Sequence, residues 1–334
     1  MVALVDRLQI VVPCFNEEEA LPETARQLCG VIESCIARGS IANSSSVLFV
    51  DDGSSDKTWR LIEALHASQP QRYDGIRLSG NFGHQAALWA GLSASTAEMV
   101  VTIDADLQDD PNAIETMVAR YHDGADIVYG VRSERQSDTW FKRNSAGLYY
   151  KLLGLLGAEI LPQHADFRLM SRRAIAALLQ YSETNLFLRA LVHRLGFETA
   201  QVAYRRTPRV AGATKYPLGK MLHFAIDGIT SWSVAPLRAI GIIGLAVSLL
   251  AFLLGLWTLW AKLFTDQSIP GWASIMLPLM LFQGLQFIFL GVIGEYVGKI
   301  FLETKRRPRF IVRETASDGI AARPDRRERE GGAR

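Results

Sequence analysis

Val47-Leu48-Phe49-Val50-Asp51-Asp52-Gly53-Ser54-Ser55-Asp56-Lys57-Thr58 runs from an apolar strand straight into two carboxylates, a glycine turn and a residue able to cap a helix. The same order recurs on both sides of it. Upstream, Gln9-Ile10-Val11-Val12-Pro13-Cys14-Phe15-Asn16-Glu17-Glu18 reads as a buried strand ended by Pro13, then a helix start with Asn16 as cap and acids in the first turn. Downstream, Ile76-Arg77-Leu78-Ser79-Gly80-Asn81-Phe82-Gly83-His84-Gln85 forms a third unit, and Thr102-Ile103-Asp104-Ala105-Asp106-Leu107-Gln108-Asp109-Asp110-Pro111 closes a fourth. Strand alternating with helix predicts an α/β domain with a Rossmann-like, mainly parallel sheet, whose ligands gather outside the carboxyl ends of the strands. All four polar clusters fall at those ends.

Asp104 and Asp106 stand two residues apart at the end of a strand, so their carboxylates point the same way. Mg²⁺ or Mn²⁺ prefers such oxygen ligands and usually keeps substrate phosphates in its shell, which makes this a place for a metal–diphosphate complex. A nucleotide sugar that loses its diphosphate develops negative charge on the leaving group, and stabilising that charge is the central demand of sugar transfer. Arg132, after the apolar run from Asp126 to Gly130, and the cluster Arg206, Arg209 and Lys215 could complete an anion clamp, with Arg143 as a further contact for phosphate or acceptor.

Six short motifs, in order, resemble the family 2 glycosyltransferases of the GT-A fold, in particular the polyprenyl-phosphate glycosyltransferases that include bactoprenol glucosyltransferase and dolichol-phosphate mannose synthase. They are Val12-Pro13-x-Phe15-Asn16-Glu17, Asp51-Asp52-Gly53-Ser54-x-Asp56-x-Thr58, Leu78-Ser79-x-Asn81-Phe82-Gly83, Asp104-Ala105-Asp106-Leu107-Gln108-Asp109, Asp166-Phe167-Arg168-Leu169-Met170 and Arg209-Val210-Ala211-Gly212-Ala213-Thr214-Lys215-Tyr216. The resemblance implies a pocket for base and ribose at Pro13, Phe15, Glu17, Asp51 and Asp52. It also implies direct metal ligation by Asp106 and Gln108, with Asp104 sharing the metal or holding the ribose. Asp166 is implied as catalytic base. A phosphate monoester acceptor is already largely dianionic near neutral pH, with a second pKa of about 6, so an orienting role for Asp166 is equally open. Pairing of Asp166 with Arg168 within a plain strand is the structural alternative. Two positions depart from the pattern: Gly80, where a basic residue is common, and Gln85, where an acid is common.

After this domain come two apolar runs. Ala239 to Ala261 contains no charge and as a helix would cover roughly 34 Å at about 1.5 Å per residue, against a hydrocarbon core of about 30 Å. The second uncharged run, Gln267 to Gly294, carries Pro278, Gln283 and Gln286, which suit helix contact more than lipid. Lys305, Arg306, Arg307, Arg309 and Arg313 follow, whereas the connection from Lys262 to Gly271 has little positive charge, so both termini are expected in the cytoplasm. The expected organisation is a cytosolic GT-A domain over 1–215, an amphipathic juxtamembrane helix over 216–233, spans over 235–261 and 272–298, and a basic, partly disordered tail over 303–334. Trp140 to Leu156 mixes aromatic and basic residues and suits the headgroup level.

The net charge of +2, concentrated in that tail, points to an anionic membrane surface and not to nucleic acid. Cys14, Cys29 and Cys35 have no metal-ligand spacing and are too few for a disulfide framework. No signal peptide is expected, because Asp6 and Arg7 interrupt the first apolar stretch. The resulting expectation is a metal-dependent inverting enzyme of the inner membrane that moves a hexose from UDP-glucose to undecaprenyl phosphate. GDP-mannose as donor and a non-catalytic membrane scaffold are the alternatives, and homo-oligomerisation stays open. A Gly-rich loop after the first strand, expected of a nucleotidyltransferase, and a Gln-x-x-Arg-Trp motif, expected of a processive synthase, are both missing.

Overall fold

The computed structural model describes residues 5–132, 164–183, 188–204, 235–264 and 271–317. Eight strands in these residues form one sheet: Leu8–Cys14 (β1), Ser46–Asp51 (β2), Tyr73–Leu78 (β3), Met99–Thr102 (β4), Ile127–Arg132 (β5), His164–Ser171 (β6), Thr199–Tyr204 (β7) and Val312–Thr315 (β8). Their order is β7-β5-β6-β4-β1-β2-β3-β8. β1 pairs in parallel with β2 and β4, β2 with β3, and β5 with β7; β6 runs antiparallel between β4 and β5. The sheet is therefore mainly parallel, as the alternating motifs predict. Every residue of β1, β2 and β4 is buried, which is why these strands read as continuous apolar runs.

Helices Leu21–Ala37 (α1), Thr58–Ser68 (α2), His84–Ala94 (α3) and Ala113–His122 (α4) follow the first four strands in turn. The buried stripes of α1, α2 and α4 meet the sheet in a core that includes Leu28, Ile32, Phe49, Ile62, Val101 and Met117, and α3 packs against Val11 and Val50, outside that core. α3 lies unusually close to β1, since a Cβ on Gly91 would stand 2.3 Å from the Val11 side chain. Two shorter helices, Arg172–Leu178 (α5) and Leu188–Arg194 (α6), come after β6. Ser171 caps α5 by accepting from Ala174 N–H at 3.2 Å.

Asn16 does not cap a helix. α1 begins only at Leu21, and Asn16 sits in the left-handed region at φ 55°. There its side-chain oxygen accepts from Ser55 N–H at 2.9 Å, while Ser54 Oγ accepts from Asn16 N–H at 2.9 Å. The sequence pattern of a cap is instead a clasp between the ends of β1 and β2.

A second correction concerns the segment read as a basic tail. Val312–Thr315 is β8, antiparallel to β3, and it closes that edge of the sheet. Arg309 is 7% exposed. Its guanidinium lies 4.1 Å from the ring centre of Trp89 on α3 and donates to the carbonyls of Glu183 and Tyr181 at 2.9 and 2.6 Å. The unit that holds the sheet thus includes the described residues from Arg306 onward.

Ala235–Phe264 (α7) and Trp272–Thr304 (α8) belong to a separate unit. Within them Pro236–Trp257 and Leu281–Thr304 are long and apolar enough to cross a membrane, and no residue of either stretch's most apolar window is buried. Side chains such as Ile242, Leu245, Phe252 and Leu281 are exposed by 63% or more. Such surfaces would be costly in water, at about 25 cal/mol per Å² of apolar area.

Candidate active site

The carboxyl ends of β1, β2 and β4 and the start of α3 enclose a cleft. β1 supplies Pro13 and Cys14, and the clasp after it supplies Phe15 and Glu17; β2 leads to Asp52; the loop before α3 gives Asn81 and α3 begins with His84; β4 leads to Asp104 and Asp106. The structure therefore brings together six of the residues singled out in the sequence: Pro13, Phe15, Glu17, Asp52, Asp104 and Asp106. The ring of Phe15 is 45% exposed.

Asp51 and Asp52 part company at the end of β2. Asp52 faces the cleft and accepts from Phe82 and Gly83 N–H, both at 2.8 Å, so it fixes the loop into α3. Asp51 is fully buried, accepts from Ser54 N–H at 3.1 Å, lies 3.3 Å from Arg77 Nε, and lines no part of the cleft. It braces the Gly53 turn, where φ is 73° and a Cβ would stand 2.5 Å from Gly80 backbone. Burial pushes both carboxyls above the ordinary range.

Asp104 and Asp106 share the cleft wall as their spacing predicts, but Gln108 does not join them. Gln108 is 4% exposed, off the cleft lining, and its N–H donates to Asp106 Oδ1 at 3.2 Å. A left-handed Leu107, at φ 51°, breaks the strand alternation between them. Among the described residues, Asp104 Oδ1 is buried without a hydrogen bond, and His84 Nε2 stands 3.5 Å from it. Burial pushes the Asp104 carboxyl up to about 6, against the pull of His84 and with help from Asp166, Asp109 and Asp106. Among the described residues no group of three His, Cys, Asp or Glu is placed to hold a metal ion. A cation here would take two protein carboxylates and fill its shell from substrate.

Asp166 on β6 is in the opposite condition. Its Oδ1 accepts from Arg168 Nη2 and Arg189 Nε, both at 3.2 Å, and its Oδ2 accepts from Arg189 Nη2 at 3.0 Å. His84 Nε2 stands 3.4 Å from the same Oδ2. Burial alone would raise its pKa, but His84, Arg168 and Arg189 hold the carboxyl far below the usual range. The pairing of Asp166 with Arg168, the structural alternative in the sequence, is present, and His84 on the cleft lining stands between Asp166 and Asp104. Burial lowers the His84 pKa, yet the bond to Asp166 and the two carboxylates outweigh it and raise it.

Arg132 lies at the end of β5, a third exposed and off the cleft lining. It donates to the Tyr204 hydroxyl at 3.3 Å and faces Asp109 at 3.6 Å. Arg143, Arg206, Arg209 and Lys215 lie outside the described residues, as do Trp140 to Leu156 and the proposed helix over 216–233. Cys14, Cys29 and Cys35 are buried free thiols, and burial pushes each pKa up, so none is poised as a nucleophile.

Sequence reasoning missed His84 and Arg189. His84 falls inside a quoted motif, but one histidine at a helix start has no chemical signature of its own. Arg189 stands in Leu186-Phe187-Leu188-Arg189, and only folding brings it to Asp166.

Known proteins resemble this chain over most of its length. The chain is 47% identical to the glycosyltransferase YkoT of Bacillus subtilis (strain 168), over 91% of this chain and 90% of that protein. It is 36% identical to the bactoprenol glucosyl transferase of Shigella phage SfX, over 92% of this chain and 99% of that one. Among solved structures, the mannosyltransferase PcManGT from Pyrobaculum calidifontis, in complex with GDP-Man and Mn²⁺, matches 88% of each chain at 16% identity with a TM-score of 0.43. Residues 9–179, from β1 to the end of α5, match the family described as Glycosyl transferase family 2. With its GT-A-like α/β sheet and two long apolar C-terminal helices, the chain belongs to glycosyl transferase family 2.

Proposed function

We propose that the protein transfers glucose from UDP-glucose to a polyprenyl phosphate, undecaprenyl phosphate in the first instance, with inversion at the anomeric carbon. The observation that carries this reading is the pairing of a carboxylate-lined cleft at the strand ends with two exposed apolar helices in one chain. The bactoprenol glucosyl transferases among its relatives support the choice of sugar and lipid.

In this reading Phe15 offers a ring face to the base, Glu17 and Asp52 lie within the nucleotide pocket, and Asp104 and Asp106 face the diphosphate. The unbonded buried oxygen of Asp104, crowded by carboxylates, fits a divalent cation held by Asp104 and Asp106. When bound, such an ion neutralises charge on the departing diphosphate. An acceptor phosphate oxygen attacks the anomeric carbon from the face opposite UDP, the new C–O bond forms, and the electron pair of the broken bond leaves on the diphosphate. No proton has to move, because a phosphate monoester is largely dianionic near neutral pH. An Asp166 held ionised by cations suits orientation and charge stabilisation better than proton removal. α7 and α8 would hold the domain at the cytoplasmic face, where the lipid phosphate lies. Arg309, packed on Trp89, is no part of the basic flank that faces lipid, and Lys305, Arg306 and Arg307 remain for that role.

Membranes containing the protein should incorporate labelled glucose from UDP-glucose into a butanol-extractable lipid. Incorporation from GDP-mannose alone would replace the donor, and no incorporation from any nucleotide sugar would favour a scaffold.

A further inference from the structure

The loop that carries Asn81 and leads into His84 is gripped at both ends by one stretch from near the other end of the sequence, residues 309–316. Before the loop, β8 pairs with β3 from Ile76 to Leu78, Ala316 N–H donates to the Gly75 carbonyl at 2.9 Å, and Ser79 N–H donates to the Ile311 carbonyl at 2.8 Å. The register of this pairing shifts between Arg77 and Leu78, a break of the kind that re-aims a chain where a strand leaves its sheet. After the loop, Arg309 stands 4.1 Å from the ring centre of Trp89 on α3, itself 3% exposed, and donates to the carbonyls of Tyr181 and Glu183 beyond α5. A third contact runs through Arg77, whose Nη1 donates to Glu314 at 2.8 Å and whose Nε lies 3.3 Å from buried Asp51. Asp51 braces the Gly53 turn that abuts Gly80, and its neighbour Asp52 holds the N–H groups of Phe82 and Gly83.

A strand that only closed an edge would need its backbone and a few exposed charges, as sheet edges are commonly guarded. Arg309 goes further, because a guanidinium taken out of water costs free energy that the ring face and two carbonyls must offset. What it secures is the place of α3, whose first residue, His84, lines the cleft with Asn81 and Asp104. The loop itself has no buried side chain to fix it, since Ser79, Asn81 and Phe82 are exposed and Gly80 and Gly83 carry none. Its place is set by Asp52 from the cleft side and by residues 309–316 from behind. Arg309 in turn follows Thr304, the last residue of α8, by five positions.

We propose that residues 309–316 position the loop from Ser79 to Gly83 and the start of α3, so that affinity for the nucleotide of the donor depends on a segment that follows the second apolar helix. Arg309 is the positioning residue and touches no substrate itself. A loop fixed beforehand spares the incoming nucleotide the entropy of ordering it. The identity of the ligand rests on the glycosyl-transfer reading above, whereas the hold on the loop does not.

The experiment measures binding of UDP with Mg²⁺ to the full chain in detergent, far below the thermal midpoint, in wild type and variants. Arg309→Ala should raise the Kd roughly 3- to 30-fold. Arg309→Lys, which keeps a charge over the ring but lacks the fork to two carbonyls, should lie between it and wild type. Glu314→Lys sets a like charge against Arg77 at a position 41% exposed, and should raise the Kd in the same sense with little change in midpoint. It carries the test alone if Arg309→Ala does not fold. Ile32→Val, a core change of comparable thermal cost on α1, should keep the wild-type Kd. In transfer, the KM for UDP-glucose should rise with the Kd while that for undecaprenyl phosphate stays. Wild-type Kd in folded Arg309→Ala and Glu314→Lys would reduce the segment to a cover for the β3 edge and overturn the proposal. So would equal rises in both KM values, or a Kd raised as much by Ile32→Val, since either marks general loosening. If the wild-type protein binds no UDP and transfers no glucose, the functional reading fails separately, and amide hydrogen exchange decides the hold on the loop. Phe82 and Gly83 N–H exchanging faster in Arg309→Ala and Glu314→Lys than in Ile32→Val keeps it; equal rates remove it.

Discussion

Two neighbouring strands, β4 whose end lines the cleft and β6 paired beside it, treat their carboxylates in opposite ways. At the end of β4, Asp104 and Asp106 share the cleft lining, His84 is the ion-pair partner of Asp104 among the described residues, and the Asp104 carboxyl is pushed up to about 6. At β6, Asp166 is met by Arg168, Arg189 and His84, and is held ionised well below the usual range. Burial acts in the same direction on both, although the Asp104 side chain is 41% exposed and that of Asp166 5%, and the neighbours decide the sign. Among the described residues, Asp104 at the end of β4 forms its ion pair with His84 alone, whereas Asp166 on β6 meets two arginines as well.

The largest effect that could break this contrast is at Asp106. Asp106→Ala should reduce transfer by roughly 10²–10³-fold or more, the scale of losing one group that stabilises developing charge. Chelator should abolish wild-type activity, and Mg²⁺ or Mn²⁺ should restore it. Full wild-type activity in chelator would mean that the β4 carboxylates serve something other than a metal.

A second effect reaches both strands through α3, whose first residue, His84, touches Asp104 and Asp166. The far side of α3 is held by Arg309, which packs on Trp89 and donates to two carbonyls. Arg309→Ala removes a cation–π contact of a buried guanidinium and two part-buried hydrogen bonds, to the carbonyls of Tyr181 and Glu183, for a loss of about 1–2 kcal/mol. Thermal unfolding should show the fall, and transfer should decline at temperatures well below the wild-type midpoint. The same contact changes how a soluble fragment must be made. A chain stopped before Ala235 loses β8 and Arg309 along with the apolar helices, so its β3 edge is bare. Unchanged unfolding of Arg309→Ala would show that the C-terminal segment merely rests on the domain.

Asp104→Asn gives a smaller and opposite change in stability. The folded carboxyl holds its proton up to about 6, above the ordinary value of 3.8, so the native state binds more protons than the unfolded chain between these values. Stability therefore falls as pH rises through that window, and the penalty is complete above it. The side chain is 41% exposed, so water screens the effect to about 1 kcal/mol. Without metal, the Asn variant should melt about 2–4 °C higher than wild type at pH 7.5 and equally at pH 4. Saturating Mg²⁺ should close the gap by stabilising wild type alone. A variant that melts lower at pH 7.5 would mean that Asp104 is satisfied without a cation.

How much of this was legible in the sequence follows from the range of each interaction. β1, β2 and β4 announce themselves because they are buried on both faces, and their polar ends stand out against apolar runs. Asp104 and Asp106 could be paired because a strand end sets their direction. Gln108 could not be excluded from that pair, since the left-handed turn at Leu107 has no sequence mark of its own. Asp51 and Asp52 look equivalent on paper, and one step of strand alternation sends the first into the core and the second to the cleft. Arg189 and β8 were out of reach for a different reason. Both depend on partners far away in the chain, Asp166 across 23 residues and β3 across more than two hundred, and no local pattern encodes such a contact.

The finest test of the contrast adds charge on the β4 side. Gly80 occupies a position where the family often carries a basic residue, and it adjoins Asn81 on the cleft lining. A Cβ at Gly80 would meet nothing within 4 Å, and its backbone is outside the left-handed region, so a side chain is sterically free there. Gly80→Arg should therefore fold with a midpoint within about 1 °C of wild type, as surface changes away from special features usually do. If the guanidinium reaches the donor phosphates, the KM for UDP-glucose should fall a few-fold, about 0.5–1 kcal/mol by the tenfold-per-1.4 rule. The Mg²⁺ concentration giving half-maximal rate should fall with it, because part of the charge deficit at Asp104 and Asp106 is then met by protein. Gly80→Gln, of similar reach without charge, should show neither change. Equal kinetics for Gly80→Arg and wild type at every Mg²⁺ concentration would place the position outside the field of the β4 carboxylates.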